Sequence, residues 1–260
     1  MHELAQHDIA LVQADNPGPF TLEGTNTWLV GRDPCWVVDP GPQDPAHVEA
    51  VLTAAGDRGG VGGIALTHDH GDHAGATDAL RRRAEVPIVA AARFAGADTR
   101  IGDGDALGPL RAVATPGHAP DHLAFVAGRA LFSGDAVLGR GSVFVAPGPG
   151  ALSGYLRALE RLAGLDLAVI CPGHGPLVLD PQAKLAEYRE HRLDRERRLV
   201  AALDAGRRGV EELLDAAWAD VPTTLRPAAA VTLAAHLDKL AEEGRLPEGV
   251  ERPAVPGFAA

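Results

Sequence analysis

Apolar positions along the chain follow two rhythms. Through roughly the first two thirds, short β-branched and aliphatic runs alternate with segments of helical spacing, and Gly, Pro, Asn or Asp closes nearly every run. NTWLVG (26–31) and CWVVDPG (35–41) read as strands. Asp44-Pro45 supplies an N-cap and a first-turn proline for a helix whose apolar face is Val48, Val51, Leu52 and Ala55, with Gly56 as its stop. GGIALTH (62–68) is a buried strand, residues 75–84 the following helix, and PIVAA (87–91) another strand. Beyond a loop around GDGDALG (102–108), three strands are expected in RAVATPG (111–117), HLAFVAG (122–128) and RALFSGD (129–135). Ser153 is placed to cap a helix carrying Leu156, Leu159 and Ala163 and ending at Gly164, and LAVICPGHG (167–175) is a last apolar strand.

From Asp180-Pro181 the rhythm changes. A long charged helical stretch reaches about residue 205, followed by EELLDAAW and RPAAAVTLAAHLDKLAEEGRL. This predicts two domains, a mixed α/β domain over 1–179 and a small helical domain over 180–260, with a short wing at 246–255. No repeat of solenoid period interrupts the pattern.

Composition narrows the function. Lys+Arg 24 against Asp+Glu 35 leaves a net charge of −11, which argues against broad binding to a polyanion such as duplex DNA. In the last domain HLDKLAEEGRL sets Lys239 and Arg245 against Asp238, Glu242 and Glu243, so a packing or homodimerisation role suits it better than reading DNA. No apolar run approaches the ~20 residues of a membrane span. The N-terminal MHELAQHDIALVQ lacks the basic and long apolar regions of an export signal, and two cysteines, Cys35 and Cys171, make no disulfide framework. A cytoplasmic protein with two core thiols is the expectation.

The chemistry is concentrated where strands end. THDHGDH (67–73) directly follows GGIAL, TPGH ends a strand at His118, SGD ends one at Asp135, and PGHG ends one at His174. Buried imidazoles and carboxylates cost several kcal/mol each unless they are paired or hold a cation. Five His and two Asp (His68, His70, Asp72, His73, His118, Asp135, His174) are too many for one tetrahedral ion and suit two. A nitrogen and oxygen ligand set without thiolate favours two Zn2+, with Mn2+ or Fe as alternatives. His68 and His70 share one face of an extended segment, Asp72 and His73 can point to a second position, and Asp135 has two oxygens with which to bridge.

These motifs, in this order, resemble the metallo-β-lactamase superfamily. The resemblance implies an αββα four-layer sandwich with a dinuclear centre at one edge of its sheets. It further implies that His68, His70 and His118 hold one ion and Asp72, His73 and His174 the other, with Asp135 between them. NPGPFTLEGTNTWLVG (16–31), THDHGDH, TPGHAPDH, SGDAVLG, CPGHGP, AKLAEYREHR and HLDKLAEEGRL are similar to the β-lactamase-like protein 2 group, which includes animal mitochondrial endoribonucleases. That likeness implies a small winged-helix-like C-terminal domain. The ligand pattern also resembles glyoxalase II, but Asp135 is followed by AVLGRGSVFV, with Arg140 and without the tyrosine of that family's glutathione-binding segment.

The expected reaction is hydrolysis by a metal-bridging hydroxide, with Asp72 and Asp135 fixing the ions and His191 or a metal-bound water supplying the leaving group's proton. Single-stranded RNA or another phosphodiester is the first substrate expectation, and a small-molecule thioester, ester or lactone the second. A non-catalytic metal-binding module is a third reading. Around the centre, Asp39 can orient a ligating histidine or cap its turn. His122 reads as a hydrogen-bonded core histidine before a substrate contact, and Asp69 as solvated. By resemblance, Tyr188 and His191 sit on a helix that reaches over the metals. Cys171 reads as core, and His2, His7, His47 and His236 as surface or cap positions.

Overall fold

The computed structural model describes Leu4, residues 8–91 and residues 94–255; His2 and His7 lie outside them. Contacts divide the chain into two compact units: Met1–Thr115, Asp121–Ser142 and Leu165–Gln182 in one, Pro116–Pro120, Val143–Gly164 and Ala183–Ala260 in the other. No helix among the described residues is long and apolar enough to cross a membrane.

The first unit holds two sheets. The strands are β1 (Ile9–Gln13), β2 (Asn26–Val30), β3 (Cys35–Val38), β4 (Val61–Ala65), β5 (Ile88–Ala90) and β6 (Thr99–Arg100), then β7 (Ala106–Leu107), β8 (Leu110–Ala114), β9 (Leu123–Ala127), β10 (Ala130–Gly134) and β11 (Val169–Pro172). They pair in the orders β1-β2-β3-β4-β5-β6 and β11-β10-β9-β8-β7. Inward-facing Trp28, Val38 and Ala65 of one sheet meet Phe125, Phe132 and Cys171 of the other in a single apolar cluster, with the rings of Trp28 and Phe132 6.2 Å apart. This is a β-sandwich closed by burial of two apolar faces. On the outer face of the first sheet, helices α1 (Pro45–Gly56), α2 (Gly71–Ala74) and α3 (Thr77–Ala84) contribute Val51, Ala74 and Leu80 to a second cluster with Leu29, Val37 and Ile64. Asp44 caps α1 as expected, its side chain accepting the Ala46 amide at 2.9 Å.

Three differences from the sequence reading have local causes. The helix expected over 75–84 is observed as α3, Thr77–Ala84, and a separate short helix, α2, precedes it from Gly71, so Asp72 and His73 sit in a helical turn. The loop around 102–108 contains β7, paired with β8 through the tight turn at Gly108. Ser153 is not a cap: α4 (Ala151–Ala163) starts after Gly150, whose amide is taken by Glu242 at 2.7 Å, so a carboxylate distant in sequence replaces the local hydroxyl.

The second unit is helical. α5 (Pro181–Asp204), α6 (Val210–Ala217), a short 3₁₀ turn (Thr223–Leu225) and α7 (Arg226–Glu242) complete the element order. Leu199, Leu203, Leu213, Leu214, Leu233 and Leu237 form its core. The wing expected at 246–255 carries no strand; Pro247 and Pro253 lack ladder donors, and Glu251 N bonds Arg208 O at 2.9 Å instead.

Glu196 anchors this unit, with Lys239 at 2.9 Å and Arg245 at 3.2 Å. His236 and Lys239 hold its carboxyl down to about 2. A depressed carboxylate contributes stability that is complete above its unfolded pKa of about 4.3 and is lost as pH falls through the folded value. Chemical denaturation of the protein is therefore expected to become easier between about pH 5 and pH 2. Glu196→Gln should flatten that dependence and lower stability at pH 7 by about 1 kcal/mol, allowing for solvent screening.

Candidate metal centre

The centre is built at the C-terminal ends of β4, β10 and β11 in the first unit. β3 and β4 run parallel with Val38 opposite Ala65, so the residues that follow, Asp39 and Leu66-Thr67, leave the sheet side by side. Asp39 is 1% exposed and adopts φ +52, a left-handed conformation that Asp tolerates better than most residues. Its Oδ1 accepts the Thr67 amide at 2.8 Å, and its Oδ2 accepts the Thr67 hydroxyl at 2.7 Å and His73 Nδ1 at 2.9 Å. Asp39 thus binds both a backbone amide at the turn and a ligand-type histidine.

These bonds settle tautomers. A carboxylate can only accept, so His73 carries its proton on Nδ1 and turns a lone pair outward at Nε2. The Thr67 hydroxyl, having donated to Asp39, accepts at 3.0 Å from His68 Nδ1, which leaves His68 Nε2 as a lone pair too. His174 Nδ1 faces the Gly24 carbonyl at 3.4 Å, with the same consequence for its Nε2. His122 is buried between Thr115 Oγ1, 2.8 Å from its Nδ1, and the Asp135 amide, which donates to its Nε2 at 3.2 Å. It steadies the backbone of Asp135, in keeping with the hydrogen-bonded core role expected of it.

The lone pairs converge. His73 Nε2 and His174 Nε2 are 3.1 Å apart. Asp135 Oδ1 lies 3.3 Å from the first and 3.5 Å from the second, and Asp72 Oδ2 lies 3.6 Å and 3.2 Å from them. A tetrahedral ion with ligands at about 2.0–2.1 Å holds those ligands about 3.3 Å from one another. The donor set therefore fits a divalent cation in both spacing and chemistry. Two ligand groups within the first unit have all their donor atoms within 4.8 Å of one another: His68, His73 and Asp135; and Asp72, His73 and His174. Five of the seven residues singled out from the sequence occur in these groups.

The local field asks for positive charge. Burial opposes a charged His73 ring, yet Asp135 and Asp39 outweigh it and raise the ring's pKa well above the usual value. Burial likewise pushes the Asp72 carboxyl up, but His174 and His73 outweigh it and the net shift is downward. Close packing fixes the geometry. A Cβ on Gly173 would come within 2.6 Å of His73 Cε1 and 2.8 Å of Asp135 Oδ1, so only glycine lets β11 pass so near the ligands.

The other sequence candidates each have their own surroundings. Arg140 is exposed and pairs with Glu23 at 2.6 Å. Tyr188 and His191 belong to the second unit, where Tyr188 is buried beside Lys184. Burial, Arg192 and Arg195 bring His191 down to about 4, and Arg195 Nε points at its Nε2 from 3.3 Å. The ring therefore holds no extra proton at neutral pH. Asp69 is exposed, and Cys171 is core with burial pushing its thiol up. His47 and His236 are not surface residues: His47 is buried on Thr27 Oγ1 at 2.9 Å, and His236 packs on Trp218 in the helical core. The sequence reading missed Thr67, whose only mark was its place immediately before His68.

The description of the Metallo-beta-lactamase superfamily matches residues 20–105 and 95–174, and that of the Beta-lactamase associated winged helix domain matches residues 210–249. A Beta-lactamase-like protein 2 homolog of Caenorhabditis elegans is 32% identical over 91% of this chain and 85% of its own. An Atrochrysone carboxyl ACP thioesterase of Aspergillus chevalieri is 35% identical over 82% of this chain and 74% of its own. Among solved structures, a metallo-beta-lactamase family protein from Thermus thermophilus aligns with TM-score 0.73 at 26% identity, covering 91% of this chain and 94% of that one.

Two substitutions probe the centre. Asp39→Asn should lower affinity for zinc by about 10–100-fold, read by competition with a coloured chelator, because it weakens the acceptor for His73 Nδ1. Gly173→Ala should reduce the metal retained after dialysis while leaving the far-ultraviolet circular dichroism intact. Unchanged metal content in Gly173→Ala would contradict the packing argument.

Proposed function

Starting from the fact that the chain belongs to the metallo-beta-lactamase superfamily of metal-dependent hydrolases, we propose that it binds two zinc ions and hydrolyses an acyl thioester. His68, His70 and His118 hold one ion in this reading, Asp72, His73 and His174 the other, and Asp135 serves both. The observation that carries it is the 3.1 Å approach of His73 Nε2 to His174 Nε2, flanked by the two carboxylates. Bound divalent ions supply Lewis acidity and ionise water near neutral pH.

The chain's own groups do the rest. Asp39 and Thr67 keep His73 and His68 in the tautomers that leave Nε2 free of a proton. His122 accepts the Asp135 amide and so steadies the backbone that carries this carboxylate. Divalent ions held by these ligands would supply positive charge for an acyl oxygen. The leaving group favours a thioester. A thiol of pKa about 8.5 leaves with little help from an acid, whereas an alkoxide needs a proton. His191, the acid considered from sequence, is neutral at pH 7 because its pKa lies near 4. The net charge of −11, and the neutralisation of Arg140 by Glu23, weigh against a long phosphate backbone. The thioesterase among the relatives supports the same choice.

Cleavage of short single-stranded RNA is the second reading, since the same metal chemistry can act on a phosphodiester. Zinc-loaded protein assayed in parallel on acyl-CoA, S-lactoylglutathione and single-stranded RNA separates the two. Thioester turnover should appear and fall at least ~100-fold in Asp135→Ala. RNA cleavage without thioester turnover, abolished by the same substitution, would replace the first reading by the second.

A further inference from the structure

α2 carries Asp72 and His73 on only four residues, Gly71–Ala74, and no side chain caps its start. A single turn this short does not hold itself in place. Part of its position is set from outside, by one residue of the loop after β3. Gly41 N donates to His73 O at 2.9 Å, and Ala76 N donates to Gly41 O at 2.9 Å. Gly41 therefore grips the backbone at a ligand-type histidine and again beyond the end of α2.

His47 stands behind that grip. Gly41 has φ +90, and a Cβ there would come within 2.5 Å of His47 Nε2, 2.6 Å of His47 Cδ2 and 3.2 Å of Thr27 Oγ1, so its backbone rests directly on the imidazole. The ring comes from the first turn of α1 and is 4% exposed. Burial lowers its pKa, which keeps it neutral at pH 7 with one donor and one acceptor. Thr27 Oγ1 lies 2.9 Å from Nε2, and the Pro40 backbone bonds the ring as well; proline has no N–H, so its carbonyl accepts. Thr27 follows Asn26, whose Nδ2 donates to Pro172 O at 3.0 Å and Gly175 O at 2.9 Å, on either side of His174. One imidazole thus joins the backbone frame of His73 to that of His174. An aliphatic side chain would fill the same space, but only a polar ring fixes Pro40 and Thr27 relative to each other by hydrogen bonds.

Building on the two-ion reading, we propose that His47 is a positioning residue for the metal centre: by holding the Gly41 backbone against α2 it fixes where Asp72 and His73 stand, and with them the ion that these two residues share with His174. Asp39 sets the tautomer of the His73 ring, and His47 sets the place of the backbone that carries it.

In the test, metal-stripped full-length protein is titrated with zinc against a coloured chelator, and proton–nitrogen magnetic resonance spectra of the imidazoles are recorded on the zinc-loaded protein. His47→Ala should weaken one of the two zinc equivalents about 10-fold, leave the other within about twofold, and move the His73 Nδ1–H resonance. His47→Gln, whose amide can still meet Thr27 and Pro40, should return the affinity to within about threefold of wild type. Thr27→Val keeps the shape of residue 27 and removes its hydroxyl; it should weaken the same equivalent about threefold, and it carries the test if His47→Ala does not fold. Val51→Ala, a cavity made from the same helix, should lower the melting temperature and leave zinc uptake within about twofold. Wild-type zinc affinity with an unmoved His73 resonance in His47→Ala or Thr27→Val, or an equal loss of zinc in Val51→Ala, overturns the proposal. A wild type that takes up a single equivalent removes the two-ion reading, and the His73 resonance then decides for or against His47 alone.

Discussion

Two imidazole lone pairs and two carboxylate oxygens held 3.1–3.6 Å apart repel one another unless positive charge lies among them. The rest of the catalytic architecture serves that constraint. Strand ends of two sheets deliver the groups, glycine at position 173 removes the Cβ that would prevent their approach, and the apolar interior behind them keeps water from relaxing the arrangement. Either protons or metal can meet the demand for charge. The upward pull on His73 is the proton's answer, and a divalent ion at tetrahedral spacing meets the same field with the lone pairs left in place.

Asp39 links fold to chemistry. One carboxylate, emerging where β3 ends, receives a backbone amide, a hydroxyl and an imidazole, and so fixes the protonation pattern of His73 directly and of His68 through Thr67. The parallel register of β3 and β4 makes this possible, because it places residues 39 and 67 side by side although 28 positions separate them in the chain. Such a group contributes to affinity for metal without touching it.

Much of the sandwich was legible in the sequence because its strands are short apolar runs closed by Gly or Pro. The runs at 26–31, 35–41, 62–68, 87–91, 111–117, 122–128, 129–135 and 167–175 each overlap an observed strand. The two-residue strands Thr99–Arg100 and Ala106–Leu107 were not, since two residues carry no period, and Ile9–Gln13 lay in a segment read only for export features. The seven metal-type side chains stood out because polar groups at apolar strand ends need an explanation. Thr67 did not, because a threonine ending a strand is unremarkable until its hydroxyl is seen between Asp39 and His68. The buried state of His236 was hidden by the charged residues around it in HLDKLAEEGRL, which on a helix face other directions.

Diffraction from crystals of the zinc-supplemented protein, with anomalous data collected on either side of the zinc absorption edge, addresses the central claim most directly. The account predicts an anomalous peak within about 2.0–2.2 Å of His73 Nε2 and His174 Nε2, with Asp72 and Asp135 completing its shell and Asp39 still bonded to His73 Nδ1. A fully ordered centre in which zinc is absent and His73 instead forms a direct hydrogen bond to the Asp135 carboxylate would contradict it.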